Sequence, residues 1–387
     1  MKTYLSSVDV RVLSRELDCI LKGARFDKAY SLAGGLLRLR FHSSGVGMRE
    51  LVVAPGFLCI SDFKYPVKEK HSGFVMSLRK HLGGLFLRSV RQHGFDRIVE
   101  LCFEGMEGGF TLIVELFSTG NAVLCNDKGV IVSLLESQSW KDRTLSPRMA
   151  YAYPPGGVNP AAIDAGEFKT VLGNSGKGVA ASVASLGFGG FYAEEICLNA
   201  GVDKTADSGS LRAEQTEELF KSLKDLVERA DGGAVEASIV LDEGGNYLDV
   251  IPFELASYGR NRKIGFKSFN EAVDEYYGSL KSRQFEGKSD GEFKGAMAKL
   301  ELMREKQVEA LARLKGEAER FRVAGDAIYQ HLDEVDRLIE QVRKARKQGM
   351  GDEEITRRIN EGRNDGIAEA RMFRDVSGNK MRLDLGG

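Results

Sequence analysis

The chain is poor in cysteine and proline, has no long apolar run, and carries almost no net charge. Its five cysteines (Cys19, Cys59, Cys102, Cys125, Cys197) form an odd set without a Cys-x-x-Cys pair. That excludes a readable disulfide framework or zinc knuckle. Most have Leu or Ile beside them, the setting of a buried free thiol. No run approaches the ~18 apolar residues that would cross a bilayer, and the start MKTYLSSVDV lacks the apolar core of a secretory signal. A cytoplasmic protein without membrane contact is expected. Hydrophobic residues at 42% and charged residues at 29% exclude global disorder. At ~150 residues per domain, 387 residues suggest two or three units.

The net charge of −1 hides an asymmetry. Residues 1–100 hold 17 Lys and Arg against 9 Asp and Glu, a surplus of 8, which leaves −9 for the remainder. Four of the five histidines also lie there. A basic head on an acidic body fits either a polyanion partner or an ordinary solvated surface.

To about residue 135 the apolar periodicity is mostly two. In Leu37-Arg38-Leu39-Arg40-Phe41-His42 apolar and basic residues alternate, which predicts a half-buried strand with a basic outer row. Similar strands are predicted at 51–53, 57–60, 98–103, 111–117 and 123–125, with a turn at Asn126-Asp127-Lys128-Gly129 before 130–135. Two helices interrupt them. One spans Val8 to Lys22, with Asp9 at its positive end; the other spans about Ser72 to Leu82, stopped by Gly83-Gly84. Four of seven prolines (Pro147, Pro154, Pro155, Pro160) mark an extended connector.

The expected organisation is a β-rich N-terminal domain (1–155), a helical module (161–231), a β-hairpin and helix connector (232–283), a coiled-coil helix (292–346) and a tip segment (350–387). The class is α+β. The polar stretch Gln284 to Gly291 reads as a linker. Beyond it a heptad stripe runs from Phe293 through Leu300, Leu311, Leu314, Phe321, Ile328 and Val335 to Val342. A rod of ~50 residues would reach ~75 Å and needs a partner helix. No equally long return helix follows, so the chain reads as a fragment cut inside its coiled coil, expected to self-associate through the stripe.

Residues 187–204, GFGGFYAEEICLNAGVDK, are the sharpest local signal. They resemble the helix-two-turns-helix signature of the formamidopyrimidine-DNA glycosylases, where a tight glycine turn lets backbone N–H groups approach a phosphate. The other reading is a helix corner packed by Tyr192, Ile196 and Leu198. Lys2 and Thr3 stand where those enzymes carry their catalytic Pro-Glu pair. No nucleophile–base pair, metal-ligand spacing or P-loop is present, so neither a catalytic role nor a metal or cofactor is expected.

Five ordered segments add a broader likeness: SSVDVRVLSREL (6–17), GFVMSLRKHLGG (73–84), QHGFDRIVEL (92–101), ELFSTGNAVLC (115–125) and FKSFNEAVDEYYGSL (266–280). Together they resemble the NFACT family, also called fibronectin-binding protein A, with middle segments nearer to archaeal and eukaryotic members. The resemblance implies a non-enzymatic ribosome-associated quality-control factor. Such a factor binds the large ribosomal subunit holding peptidyl-tRNA and recruits aminoacyl-tRNA, so that a stalled nascent chain is extended without a template. It also implies that Asp9, Asp96 and Arg97 engage tRNA.

Chemically, Arg97 suits a phosphate or a base face, whereas carboxylates must face base amino groups, ribose hydroxyls or basic side chains. In a regular strand Asp96 and Arg97 would point to opposite faces, so a shared ligand requires Asp96 to lie in the loop after Gly94. The alternatives are a structural Asp-Arg pair at a turn and a helix-capping Asp9. Arg79, Lys80 and His81 either complement a helix dipole or touch RNA backbone. Lys141, Arg143 and Arg148, beside the proline-rich connector, are either a solvated basic loop or a further RNA contact. Other readings of the chain are a glycosylase-like nucleic-acid protein and a fibronectin-binding or coiled-coil scaffold.

Overall fold

The computed structural model describes residues 1–45, 47–105, 108–140, 143–364, 366–367 and 369–385, without the side chains of 281–299 and 301. It divides into two units, Met1–Glu286 and Gly287–Gly387.

Period-two patterning builds a nine-stranded antiparallel sheet in the first unit. Its strands are β1 (Arg25–Ser31), β2 (Leu37–Ser43), β3 (Gly47–Ala54), β4 (Phe57–Ile60), β5 (Phe86–Gln92), β6 (Ile98–Gly105), β7 (Gly108–Glu115), β8 (Asn121–Asn126) and β9 (Ile131–Leu134). The order β4-β3-β2-β1-β5-β6-β7-β8-β9 makes two meanders joined at a short β1–β5 seam, Arg25 opposite Phe86. Leu37, Leu39 and Phe41 of β2 face inward, and Phe26, Phe41 and Phe103 pack together at centroid distances of 5.7–6.2 Å. Helix α1 (Ser7–Leu21) precedes the first meander but packs on β5, while α2 (Gly73–Leu82) precedes the second and packs on β1. Each helix therefore closes the other half. A two-stranded ribbon, β10 (Gln138–Ser139) with β11 (Thr144–Leu145), leads into the connector.

The helical module holds α3 (Ala165–Ser175), α4 (Val179–Val183), α5 (Gly189–Asn199) and α6 (Ala213–Gly232), with the turn Ala184–Phe188 between α4 and α5. Three short strands follow, β12 (Ser238–Leu241), β13 (Tyr247–Ile251) and β14 (Lys263–Gly265), in the order β13-β12-β14. Then α7 runs from Phe269 to Gln330. Glu16 of α1 caps its start, accepting from Phe269 N and Asn270 N at 2.9 and 2.7 Å.

Two expectations are corrected here. The break expected at Gln284–Gly291 coincides with the division between the two units, but as helical backbone within α7 rather than as an extended linker. The stretch holds no proline, and its glycines, Gly287 and Gly291, each weaken a helix by only about 1 kcal/mol without stopping it. The single coiled-coil helix expected over 292–346 is interrupted at His331, and α8 (Leu332–Lys347) restarts after it. In the second unit Leu300, Leu311, Leu314, Phe321 and Ile328 are exposed, whereas Leu338 and Val342 are buried with Ile355, Phe373 and Val376. The last two heptads thus serve a small core made with α9 (Asp352–Asn364) and the hairpin of β15 (Phe373–Ser377) and β16 (Lys380–Leu383).

Candidate nucleic-acid interface

Ser6 and Asp9 form a reciprocal capping box at the start of α1. The Asp9 side chain is fully buried, and four groups donate to it. Ser6 N and Ser6 Oγ lie at 2.7 Å, Tyr192 OH at 2.9 Å and the Lys2 ammonium at 2.8 Å. Lys2 also reaches Asp249 at 3.1 Å and the Val250 carbonyl at 2.8 Å. Asp249 accepts in turn from Tyr258 OH at 2.7 Å. Burial alone would lower the Lys2 pKa, but the Asp9 and Asp249 carboxylates outweigh it and hold the ammonium above its ordinary value. The Tyr192 phenol is pushed well up by burial and by Asp9. This clasp joins the N-terminal segment, α1, α5 and β13.

Asp96 and Arg97 both lie in the loop before β6, not in a strand. Asp96 N donates to His93 O at 3.1 Å and His93 N to Ile98 O at 2.9 Å, closing a tight turn. The Asp96 carboxylate accepts from Arg97 N at 2.7 Å. Buried Gln92 ties this loop to α1, because its amide nitrogen donates both to Ser7 O at 2.8 Å and to Asp96 O at 2.7 Å. The half-exposed Arg97 guanidinium lies 5.1 Å from the ring centroid of Tyr4, and no carboxylate pairs with it among the described residues.

The glycine-rich turn borders the same region. Gly187 has φ +102°, and a Cβ there would come within 3.2 Å of Phe95 O, so this position needs glycine on two counts. Rings of Phe95 and Phe188 meet at 5.1 Å. Successive residues of the turn line two hollows. One, of about 320 Å³, is bordered by Asp96, Asn159, Ser185 and Gly187. The other, of about 350 Å³, is bordered by Lys2, Tyr4, Gly189, Gly190 and Phe191. Helix α5 opens there without a side-chain cap. Asp96 thus borders the first hollow, Arg97 rests over Tyr4, which borders the second, and Asp9 is buried.

The remaining candidates separate. Arg79 donates to Ala29 O at 2.8 Å and sits over Tyr30 with Arg38 and Arg40, at 5.2, 4.7 and 5.3 Å from the ring centroid. Lys80 is exposed, and His81 lies 5.4 Å from the Phe110 ring. Arg148 is exposed, and Lys141 lies outside the described residues. Arg143 is a correction: it is buried, and its Nη2 donates to both carboxylate oxygens of Glu115 at 2.9 and 3.0 Å, which Tyr151 OH also meets at 2.6 Å, so it offers no free cation to RNA. Cys59, Cys125 and Cys197 are buried, but Cys19 is exposed on the outer face of α1 despite its apolar neighbour.

Lys2, Tyr4, Asp249 and Tyr258 escaped the sequence reading as parts of this site. Only the Ser6-x-x-Asp9 spacing was a local signal for the clasp. Its other members come together across as many as 248 residues.

An antiparallel β domain joined to a helical module, with an arginine that has no carboxylate partner among the described residues near a glycine turn, defines the class of architecture. Its architecture is shared with the fibrinogen binding protein from Staphylococcus aureus, with a TM-score of 0.58 at 17% identity over 70% of this chain and 98% of that one. The N-terminal part of the fibronectin/fibrinogen-binding protein from Streptococcus suis gives 0.56 at 19% over 71% and 99%. The chain belongs to the NFACT family: residues 6–367 match its N-terminal and middle domains. It is 31% identical over 360 residues to the archaeal Rqc2 homolog aRqcH of Methanocaldococcus jannaschii, covering 90% of this chain and 53% of the relative. It is 25% identical over 368 residues to the human ribosome quality control complex subunit NEMF, covering 89% and 34%. The chain thus spans about half or less of the length of these relatives. No described helix is long and apolar enough to cross a membrane.

Proposed function

We propose that this chain is the tRNA-engaging part of a cytoplasmic ribosome quality-control factor. It binds the large ribosomal subunit that still holds peptidyl-tRNA and recruits aminoacyl-tRNA for template-free extension of the stalled chain. Family membership and relatives named for ribosome quality control support the role. The observation that carries the tRNA assignment is the loop of Asp96 and Arg97, which presents a guanidinium with no carboxylate partner among the described residues and is tied through Gln92 to α1. Arg97 meets phosphate or a base face, and Asp96 faces a ribose hydroxyl or a base amino group. Asp9 acts from beneath by holding the clasp. Arg79, Lys80 and Arg148 add sequence-independent attraction to RNA backbone, while His81, whose pKa burial and Lys80 push below its ordinary value, contributes a hydrogen bond rather than charge.

Peptide-bond formation belongs to the ribosome in this reading. Lys2, which stands where the glycosylase pattern places its nucleophile, is held as an ammonium by Asp9 and Asp249 and so lacks the free lone pair that attack requires. The exposed stripe of α7 engages a second copy of this chain. RNA crosslinked to the protein in cells and sequenced should be dominated by tRNA and large-subunit rRNA; recovery without enrichment of either contradicts the assignment.

A further inference from the structure

We propose that Tyr4 is a positioning residue for RNA binding: its ring holds the Arg97 guanidinium in its binding orientation, on a segment that the buried clasp fixes. This inference rests on the tRNA reading above.

Tyr4 is 55% exposed, so hydrophobic burial does not explain its place. Its backbone is nonetheless fixed from both sides. Upstream, Lys2 N donates to Tyr276 OH at 2.8 Å and to Leu248 O at 3.1 Å, while the Lys2 ammonium is anchored by Asp9 and Asp249. Downstream, Leu5 N donates to Gly56 O at 2.8 Å, and Leu5 is fully buried. Gly56, at φ +91°, approaches so closely that a Cβ there would lie 2.9 Å from Tyr4 Cβ. An exposed aromatic ring on so rigid a segment is a fixed platform.

Arg97 is what rests on it. A free arginine side chain loses rotamer freedom when it binds a phosphate, and a cation over an aromatic face gives up part of that freedom beforehand. Asp9 thus anchors Lys2 by an ion pair, the backbone carries that anchor two residues on to Tyr4, and the Tyr4 ring carries Arg97.

The test is a double-mutant cycle on the full chain, reading tRNA affinity by fluorescence anisotropy, with thermal unfolding followed in parallel. Tyr4→Ala should weaken binding roughly two- to five-fold, the worth of an exposed cation–π contact, and leave the unfolding temperature unmoved. Tyr4→Phe should bind like the parent, since the ring face and not the hydroxyl meets the cation. In the Arg97→Ala background Tyr4→Ala should cause no further loss. If Arg97→Ala weakens binding and Tyr4→Ala does not, or if the two losses multiply, or if Tyr4→Phe fails to bind, the positioning role is overturned while the tRNA reading stands. If Arg97→Ala itself binds like the parent, the tRNA reading falls first.

Discussion

Replacing Asp9 by alanine removes one carboxylate that accepts from Ser6 N, Ser6 Oγ, Tyr192 OH and the Lys2 ammonium, all within 2.9 Å. It leaves Lys2, 12% exposed, with only Asp249 and a carbonyl to face. Breaking a buried ion pair by deleting one partner costs about 3–5 kcal/mol, and the lost capping box is part of that sum. Against a native stability of about 5–15 kcal/mol this is a large fraction. The unit should stay folded at room temperature, with its unfolding midpoint lowered by roughly 6–20 °C. Near-ultraviolet circular dichroism of the full chain would report it, because Tyr192, Tyr258 and Tyr276 all surround the clasp. Adding Lys2→Met should cost less than the sum of the two single changes, since it removes the stranded cation. A midpoint shift below about 2 °C for Asp9→Ala, or strict additivity with Lys2→Met, would refute the clasp.

Two further outcomes are expected. Burial would raise the Glu100 carboxyl, but Tyr153 OH at 2.5 Å, Arg91 Nε at 2.7 Å and His93 Nδ1 at 2.9 Å outweigh it, so its pKa lies below the ordinary 4.5. A lowered carboxyl pKa contributes stability that is present above the unfolded value and lost as pH falls toward the folded one. The chain should therefore lose stability below about pH 4.5, and Glu100→Gln should flatten that part of the profile; an unchanged acid limb would contradict it. The exposed stripe on α7 predicts self-association, so light scattering should give about twice the 42.5 kDa chain mass, whereas a monomer at high concentration would count against it.

How far the sequence could be read depended on whether a signal was local. Strand β2 was plain because Leu37, Leu39 and Phe41 keep strict alternation. Strands β1 and β5 were missed because a register shift interrupts each, at Phe26/Lys28 and at Leu87/Ser89, and an inserted residue moves the alternation out of phase. Helix α7 passed through Gln284–Gly291 because the stretch holds no proline, and Gly287 and Gly291 weaken a helix without breaking it. A loop position for Asp96 followed from the sequence only as what a shared ligand requires, and Arg97 belongs to the same loop because β6 starts one residue later, at Ile98. Arg143 looked like a surface cation, since its partner Glu115 lies 28 residues away on β7 and no local pattern joins them. The Tyr4 platform was invisible for the same reason: Gly56, Leu248 and Tyr276 fix it from distant segments.

The most direct measurement is tRNA affinity as a function of salt for the parent chain and for Arg97→Ala. The logarithm of the binding constant should fall linearly with the logarithm of salt concentration. Arg97→Ala should bind more weakly at low salt, with a slope smaller by about 1 and an unchanged unfolding temperature. Two coincident lines would mean that the guanidinium of Arg97 does not meet RNA.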